Sequence, residues 1–251
     1  MSVVATAAVL VSFPVAASAA GSVVAVLRRP NQTWVSAIQH FAAGVVLAAL
    51  VGEVLPDLRK EGNLAWASAG FTAGVALMLA LAALGRRRDA AAARSQSVAA
   101  SGPPAAQLPI GILVTVAIDL LIDGLLVGLG VTLGTTQGLI LTAALTIEVL
   151  FIGLSLAVQL TSAGVGRARA AVICTAMGLA TAVGAIGGAA VLGGAGKPVL
   201  AGVLAFGAAA LLYLAVEELL VEAHEQPETT TLAAMFFAGF LLIYVLGELG
   251  G

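Results

Sequence analysis

Two aspartates, Asp119 and Asp123, lie four residues apart in a stretch that is otherwise apolar. Residues 118–130 read IDLLIDGLLVGLG, inside a run from Leu108 to Leu133 that holds no other charged side chain. An aspartate at the centre of a membrane helix costs about 2.5–3.5 kcal/mol. Residues at positions i and i+4 share one helix face, so these two carboxylates repel each other. The spacing therefore predicts a site at which protons or a cation neutralise them.

A third acid, Glu148, is expected at the same depth. Asp119 and Asp123 stand 11 and 15 residues into the apolar run 108–134, and Glu148 stands 11 residues into the run 137–161. At a rise of about 1.5 Å per residue, all three lie near the middle of a bilayer about 30 Å thick. The connection between the two runs is short, which makes them antiparallel neighbours. The three carboxylates are therefore predicted to meet.

The elements that must position these acids are membrane helices. Of the 251 residues, 61% are hydrophobic and 10% are charged, and the mean hydropathy is +1.10, which is far from the composition of a soluble domain. Long apolar runs predict helices rather than the short alternating strands of a barrel. The predicted fold class is an all-α polytopic membrane protein with eight spans, at 3–27, 34–55, 64–85, 108–134, 137–161, 168–193, 198–221 and 231–249.

The distribution of basic residues predicts the orientation. Loops after odd-numbered spans hold eight arginines, whereas loops after even-numbered spans hold only Arg59, Lys60 and Lys197. Cytoplasmic loops carry the excess of positive charge, so both termini are expected outside the cytoplasm, with the protein in the plasma (inner) membrane. Residues 86–107 are rich in Ala, Ser, Gly and Pro and are predicted to form a flexible cytoplasmic linker. The linker divides one membrane domain into spans 1–3 (1–85) and spans 4–8 (108–251).

Further acids and both histidines are predicted near the two rims of the bundle. Span 7 ends with Glu217, Glu218, Glu222 and His224, and span 2 begins near His40 and ends with Glu53 and Asp57. Acids at the outer rim, the middle and the inner rim together describe a pathway. A simpler interpretation remains open for Glu222 and His224, which can belong to a solvated loop, and for His40, which can be an interfacial histidine with its own partner.

Other functions lack the residues that they need. The single cysteine, Cys174, excludes an internal disulfide framework and a thiolate metal cage. A membrane phosphotransferase would need Asp-rich motifs near basic residues, and an intramembrane metalloprotease would need a His-Glu-x-x-His helix. We therefore expect no enzymatic activity, no resident cofactor and no nucleic-acid partner. The expected partners are the lipid bilayer and a transported ion, and homodimerisation is left open.

The pattern resembles the ZIP family of divalent metal transporters over most of the chain. HFAAGVVLAALVGEVLP in span 2 is similar to the opening helix pattern of that family, and YLAVEELLVEAH in span 7 is similar to its segment HExxPExH. The resemblance implies eight spans, termini outside, a long cytoplasmic loop after span 3, and a metal site shared by spans 4 and 5. Each of these agrees with what the residues predict independently.

The metal motifs depart from those of the family. Where members show His-Asn-x-Pro-Glu-Gly, this chain has DLLIDG at 119–124, and where they show His-Glu-x-Pro-Glu-Gly it has EVLFIG at 148–153. Leu120, Val149 and Ile152 cannot coordinate a metal, so a second metal ion is not expected. In span 7, Glu217 stands where a histidine is common, and Glu218, Glu222 and His224 match.

The resemblance implies a transporter that moves zinc, manganese or iron toward the cytoplasm. Asp119, Asp123 and Glu148 would be its central ligands, and Glu217 and Glu218 would accept the ion on its inward path. The alternative is a proton-coupled carrier of an organic cation or another small solute, in which the same acids titrate. A membrane scaffold without transport is the third possibility.

Overall fold

The structure, a computed structural model, describes residues 1–28, 31–61, 63–98, 110–224, 226–227 and 229–250. These ranges hold eight helices that are long and apolar enough to cross a membrane, numbered spans 1 to 8: Val3–Leu27, Gln32–Lys60, Leu64–Arg87, Ile110–Leu133, Thr135–Ser162, Arg167–Leu192, Lys197–Leu219 and Thr230–Leu249. They coincide closely with the predicted runs. The protein is an all-α polytopic membrane protein, as the sequence predicts.

Two spans contain a π-helical segment close to one end. Span 2 consists of Gln32–Ala49, the π-helix Leu50–Val54 and Leu55–Glu61. Span 7 consists of Lys197–Tyr213, the π-helix Leu214–Leu219 and Leu220–Ala223. Span 1 is also divided, into Val3–Leu10 and Ser12–Leu27, without a π-helix. Segments of π-helix are rare and frequently occur at functional sites, and both of these contain glutamates.

Local sequence signals explain where several helices begin and end. Asn63 precedes span 3, and its side-chain oxygen accepts a hydrogen bond from the backbone N–H of Trp66 at 3.1 Å, which satisfies one of the free donors at a helix start. After span 5, Gly164 has a φ of 86°, a conformation that favours glycine. The N–H of Val165 then donates to the carbonyl oxygen of Leu160 at 3.0 Å, which closes the helix end.

The helix of span 3 extends beyond its predicted end. It runs from Leu64 to Val98, so the first part of the predicted flexible linker, 86–107, is helical. Alanine and arginine, which are frequent in this stretch, are strong helix formers. This explains why residues with the composition of a flexible linker form a helix. Residues 99–109 lie outside the described part of the chain.

Four pairs of spans pack with backbone against backbone at glycines. A Cβ atom added to Gly21 of span 1 would lie 2.1 Å from the carbonyl oxygen of Leu150 in span 5, and one added to Gly184 of span 6 would lie 2.1 Å from that of Leu121 in span 4. Spans 2 and 8 approach in the same way, as do spans 3 and 7. Small residues allow such close approach between membrane helices.

Span 6 offers a matched test of this packing. Gly184→Ala places a methyl group on the backbone of span 4, whereas Gly187→Ala meets nothing within 4 Å. Overpacking costs about 1–3 kcal/mol, so we expect Gly184→Ala to lower the melting temperature by about 2–10 °C in detergent. Gly187→Ala should melt like the unmodified protein. Tryptophan fluorescence during heating measures both, and equal melting temperatures of the two variants would contradict the packing described here.

The eight spans alternate in direction, which defines two sides of the bundle. Span 1 begins and span 8 ends on one side, here called the termini side. The opposite side, where span 3 ends and span 4 begins, is here called the linker side. Spans 4 and 5 are joined on the termini side around Gly134, and a Cβ atom at Gly138 would lie 3.1 Å from the Cα of Val131. This tight connection aligns the two spans that carry the central acids.

Candidate metal site

The three central acids converge at one point between spans 4 and 5. Asp119, Asp123 and Glu148 each offer a carboxylate oxygen, and these oxygens all lie within 4.8 Å of one another. The residues are buried, with exposed fractions of 9%, 3% and 0%. The four-residue spacing in span 4 and the antiparallel neighbour produce the meeting that the sequence predicts.

Three of the six carboxylate oxygens in this cluster have no hydrogen-bond partner among the described residues. Within the described part of the chain, Oδ2 of Asp123 and both Oε1 and Oε2 of Glu148 accept no hydrogen bond. No lysine or arginine side chain in the described ranges forms an ion pair with any of the three acids. A buried carboxylate without a partner carries a desolvation cost of several kcal/mol. The arrangement is therefore suited to binding a cation or protons.

The spacing of the oxygens fits a single divalent ion. Two oxygens bound on opposite sides of one ion at about 2.1–2.4 Å lie about 4.2–4.8 Å apart. The three oxygens satisfy this limit without rearrangement of the helices. The cluster offers only carboxylate oxygen, with neither imidazole nor thiolate. Such a set suits hard or borderline ions.

Glu218 lies close to this cluster, whereas Glu217 does not join it. Glu218 and Asp119 line one cavity of about 90 Å³, and Glu218 is near enough to interact electrostatically with all three central acids. The neighbouring Glu217 is exposed. The π-helical segment Leu214–Leu219 holds both residues. The structure thus separates two acids that the sequence treats alike.

The cavity extends from Asp119 toward the linker side. On span 4 its walls run from Asp119 back to Ile112, and on span 5 they run from Phe151 to Gln159. On the other side of the cluster, toward the termini side, the adjacent residues Leu126 and Leu145 are almost completely buried, at 1% exposed each. Of the central acids, Asp119 therefore faces the linker side through this cavity.

Two polar residues of the cavity, Ser155 and Gln159, were not predicted as site residues from the sequence. Gln159 donates a hydrogen bond to Ser155 Oγ at 3.4 Å, and both line the cavity beside Asp119. The signal was present in the spacing, because Glu148, Ser155 and Gln159 stand seven and four residues apart, which places them on one helix face. Together with Asp119 and Glu218 they are the polar groups of this cavity, and its other described lining residues are apolar.

Both histidines meet at the linker side of the bundle, away from the cluster. The rings of His40 and His224 lie with centroids 5.2 Å apart. Nδ1 of His40 pairs with the carbonyl oxygen of Ser36 at 2.9 Å, and the hydroxyl of Ser36 donates to the carbonyl oxygen of Ala223 at 2.8 Å. These contacts tie the start of span 2 to the end of span 7. The side chain of Glu222, predicted as a further ligand, lies outside the described part.

Glu53 and Asp57 lie at the opposite end of the bundle. Asp57 forms an ion pair with Lys60 at 2.8 Å, so its charge is already balanced. Glu53 lines a cavity of about 400 Å³ between spans 2 and 8, together with Tyr244 and Glu248. Neither residue is part of the central cluster. Their predicted role as ligands remains a prediction.

Comparisons with known proteins show the family of the chain. No curated protein is similar enough to the chain to count as a match. The family model described as "ZIP Zinc transporter" matches residues 87–247, which is more than half of the 251 residues and includes the central acids and Glu218. This family consists of metal transporters, in accord with the expectation that the chain is not an enzyme. The chain belongs to the ZIP zinc transporter family.

Proposed function

We propose that this protein carries a divalent cation through the carboxylate site between spans 4 and 5 and releases it into the cytoplasm. The observation that carries the proposal is the buried cluster of Asp119, Asp123 and Glu148. One carboxylate oxygen of each lies within 4.8 Å of the others, and three of the six oxygens have no hydrogen-bond partner among the described residues. Buried acids without basic partners mark ion pathways in membrane proteins. A divalent ion would neutralise two of the three charges.

The cavity and the arginines support the proposed direction. The cavity beside Asp119 extends toward the linker side, and the loops on that side carry eight of the eleven basic residues. The positive-inside rule assigns this side to the cytoplasm. Glu218 stands at the start of the passage, where it would receive the ion as it leaves the central acids.

The orientation can be tested separately from transport. We expect a cysteine or protease site placed at Ser97 to react only from the cytoplasmic side, and a tag placed after Gly251 to react only from outside. The reason is the excess of arginine in the odd-numbered loops. Labelling of intact cells and of inside-out vesicles with an impermeant reagent measures both positions. The reversed pattern would remove the inward direction.

The function itself is tested by elemental analysis and by flux. The purified protein should carry a divalent metal, and proteoliposomes should take up that metal in a manner competed by other divalent ions. A solute-dependent pH change without metal would instead indicate a proton-coupled carrier. If neither metal uptake nor a pH change is observed, the protein is a scaffold without transport. The last two outcomes would each overturn the proposal.

A further inference from the structure

The linker-side cavity ends at one layer of the bundle, to which spans 4, 5 and 7 each contribute a residue. Its deepest lining residues are Asp119 in span 4, Phe151 in span 5 and Leu214 in span 7. Val131 and Gly138 lie against each other near the connection of spans 4 and 5, and Asp119 and Phe151 stand 12 and 13 residues from them. At a rise of about 1.5 Å per residue, Asp119 and Phe151 lie at the same depth. Together with Leu214 they form the floor of the cavity.

Two of the three central acids lie one helical turn beyond this floor. Asp123 follows Asp119 by four residues and Glu148 precedes Phe151 by three, in both cases in the direction of the termini side. Neither Asp123 nor Glu148 is among the described residues that line the cavity, and their exposed fractions are 3% and 0%. The cavity therefore reaches the central cluster at Asp119 alone.

Phe151 closes the span 5 side of the floor. It is the largest of the almost completely buried side chains in the described part of the chain, and it belongs to the same hydrophobic cluster as Leu214. Interiors packed in this way leave few gaps as large as a water molecule. Glu148 stands one turn away on the same face of span 5. The ring of Phe151 therefore separates Glu148 from water in the cavity.

A cation held by all three acids has to pass this layer to leave toward the linker side. An ion that moves past an apolar side chain loses its hydration without gaining a ligand, which costs free energy. A constriction of apolar side chains can thus block an ion without carrying any charge. The ring of Phe151 must move aside before an ion in contact with Glu148 can enter the cavity.

The part of the cavity nearer its mouth presents no comparable obstacle. Ser155 is half-buried and Gln159 is exposed, and both line the cavity together with Glu218. An ion that has passed the floor therefore meets polar groups and increasing access to solvent. The resistance to its release is concentrated at the layer that contains Phe151.

We propose that Phe151 is a gate on the linker side of the central site, which keeps Asp123 and Glu148 apart from the cavity and sets the rate at which the cation leaves. The inference rests on the proposed cation transport and adds a residue that controls it without binding the ion. Such a gate slows entry and exit through the linker side by the same factor. It changes the rates of exchange, whereas a ligand changes the equilibrium affinity.

The first test measures how fast a bound metal leaves the purified full-length protein and its variants Phe151→Leu, Phe151→Ala and Leu156→Ala. The control residue Leu156 is a second buried apolar residue of span 5 on the same cavity, nearer its mouth. Manganese is bound first, and an excess of chelator then captures each ion that dissociates.

We expect the dissociation rate constant to rise about 3-fold in Phe151→Leu and about 10-fold or more in Phe151→Ala, with the dissociation constant unchanged within about 2-fold. Leu156→Ala should exchange manganese like the unmodified protein. Phe151→Leu keeps an apolar side chain of similar size, so it tests the ring even if Phe151→Ala does not fold. Unchanged rates in the Phe151 variants, or a loss of affinity as large as the gain in rate, would overturn the inference.

The second test needs no metal and examines the acids directly. Trimethyloxonium, a small water-soluble cation, transfers a methyl group to a carboxylate oxygen and releases dimethyl ether. Mass spectrometry of peptides then locates the methyl esters. In the unmodified protein we expect methylation of Asp119, which lines the cavity, and protection of Asp123 and Glu148 beyond the floor.

The variants should differ in the methylation of Glu148. We expect this reaction to be about 10-fold faster or more in Phe151→Ala and about 3-fold faster in Phe151→Leu, because the acid becomes accessible to the reagent more often. Leu156→Ala should remain protected. Rapid methylation of Glu148 in the unmodified protein, or equal protection in all variants, would contradict the gate. Methylation as expected in a protein that binds no manganese would instead contradict the proposed transport.

Discussion

Asp119→Asn, Asp123→Asn and the double substitution are expected to weaken binding of the transported cation to a similar degree, by about 100-fold or more. The two carboxylates belong to one cluster with oxygens within 4.8 Å. Residues that act as a unit give strongly non-additive losses. Titration calorimetry on the purified variants measures the affinity, and metal flux into proteoliposomes measures the consequence.

The folded structure should survive these changes. A neutral amide costs less to bury than an unpaired charge, and each asparagine has nearly the shape of the aspartate that it replaces. Size-exclusion profiles and melting temperatures should therefore match those of the unmodified protein. Glu248→Gln, which removes an acid from the termini side, is the control for loss of charge. Normal metal uptake by the double variant would eliminate the site.

The second expected result concerns the choice of metal. The central residues offer only carboxylate oxygen, which suits manganese or ferrous iron better than a site with imidazole does. Affinity still tends to rise from manganese toward zinc for a given set of ligands. We therefore expect manganese or ferrous iron to compete effectively with zinc rather than to exclude it. Competition for uptake of one radioactive metal measures this preference.

Histidine at two of the three positions should move the preference toward zinc. The double substitution Asp119→His and Glu148→His replaces hard oxygen by a softer imidazole nitrogen at one position in span 4 and one in span 5. The ratio of zinc to manganese affinity should rise, which competition binding measures. Strict zinc selectivity in the unmodified protein, or an unchanged ratio in the variant, would contradict the assignment of these ligands.

Binding should also weaken as the pH falls. Carboxylate ligands must lose their protons to bind a metal, so protons compete with the ion for Asp119, Asp123 and Glu148. Three acids so close together are expected to titrate as one unit rather than separately. Affinity measured over a series of pH values shows the competition. Affinity that is constant over the acidic range would argue against a site made of carboxylates.

Much of the architecture was readable from the sequence. Hydropathy is a local property, because each span must satisfy the bilayer along its own length. The eight spans therefore appear at nearly the predicted bounds. The acids near the midplane were evident for the same reason, since burial of a carboxylate is costly in any tertiary arrangement. The four-residue spacing of Asp119 and Asp123 and the short connection to span 5 sufficed to predict their meeting with Glu148.

Composition was a poor guide where the chain leaves the membrane. The linker 86–107 has the residues of a flexible segment, and yet its first part continues the helix that ends at Val98. Outside the bilayer, helix formation depends on propensity and on continuation from an existing helix, since elongation is easier than nucleation. Neither effect is visible in the average amino-acid composition of the segment.

Only the tertiary structure decided which acids outside the cluster approach it. Glu217 and Glu218 are neighbours in sequence, and a regular helix of unknown rotation gives no reason to prefer one. The π-helix Leu214–Leu219 changes the register of the side chains locally, and the packing of span 7 then turns Glu218 toward Asp119.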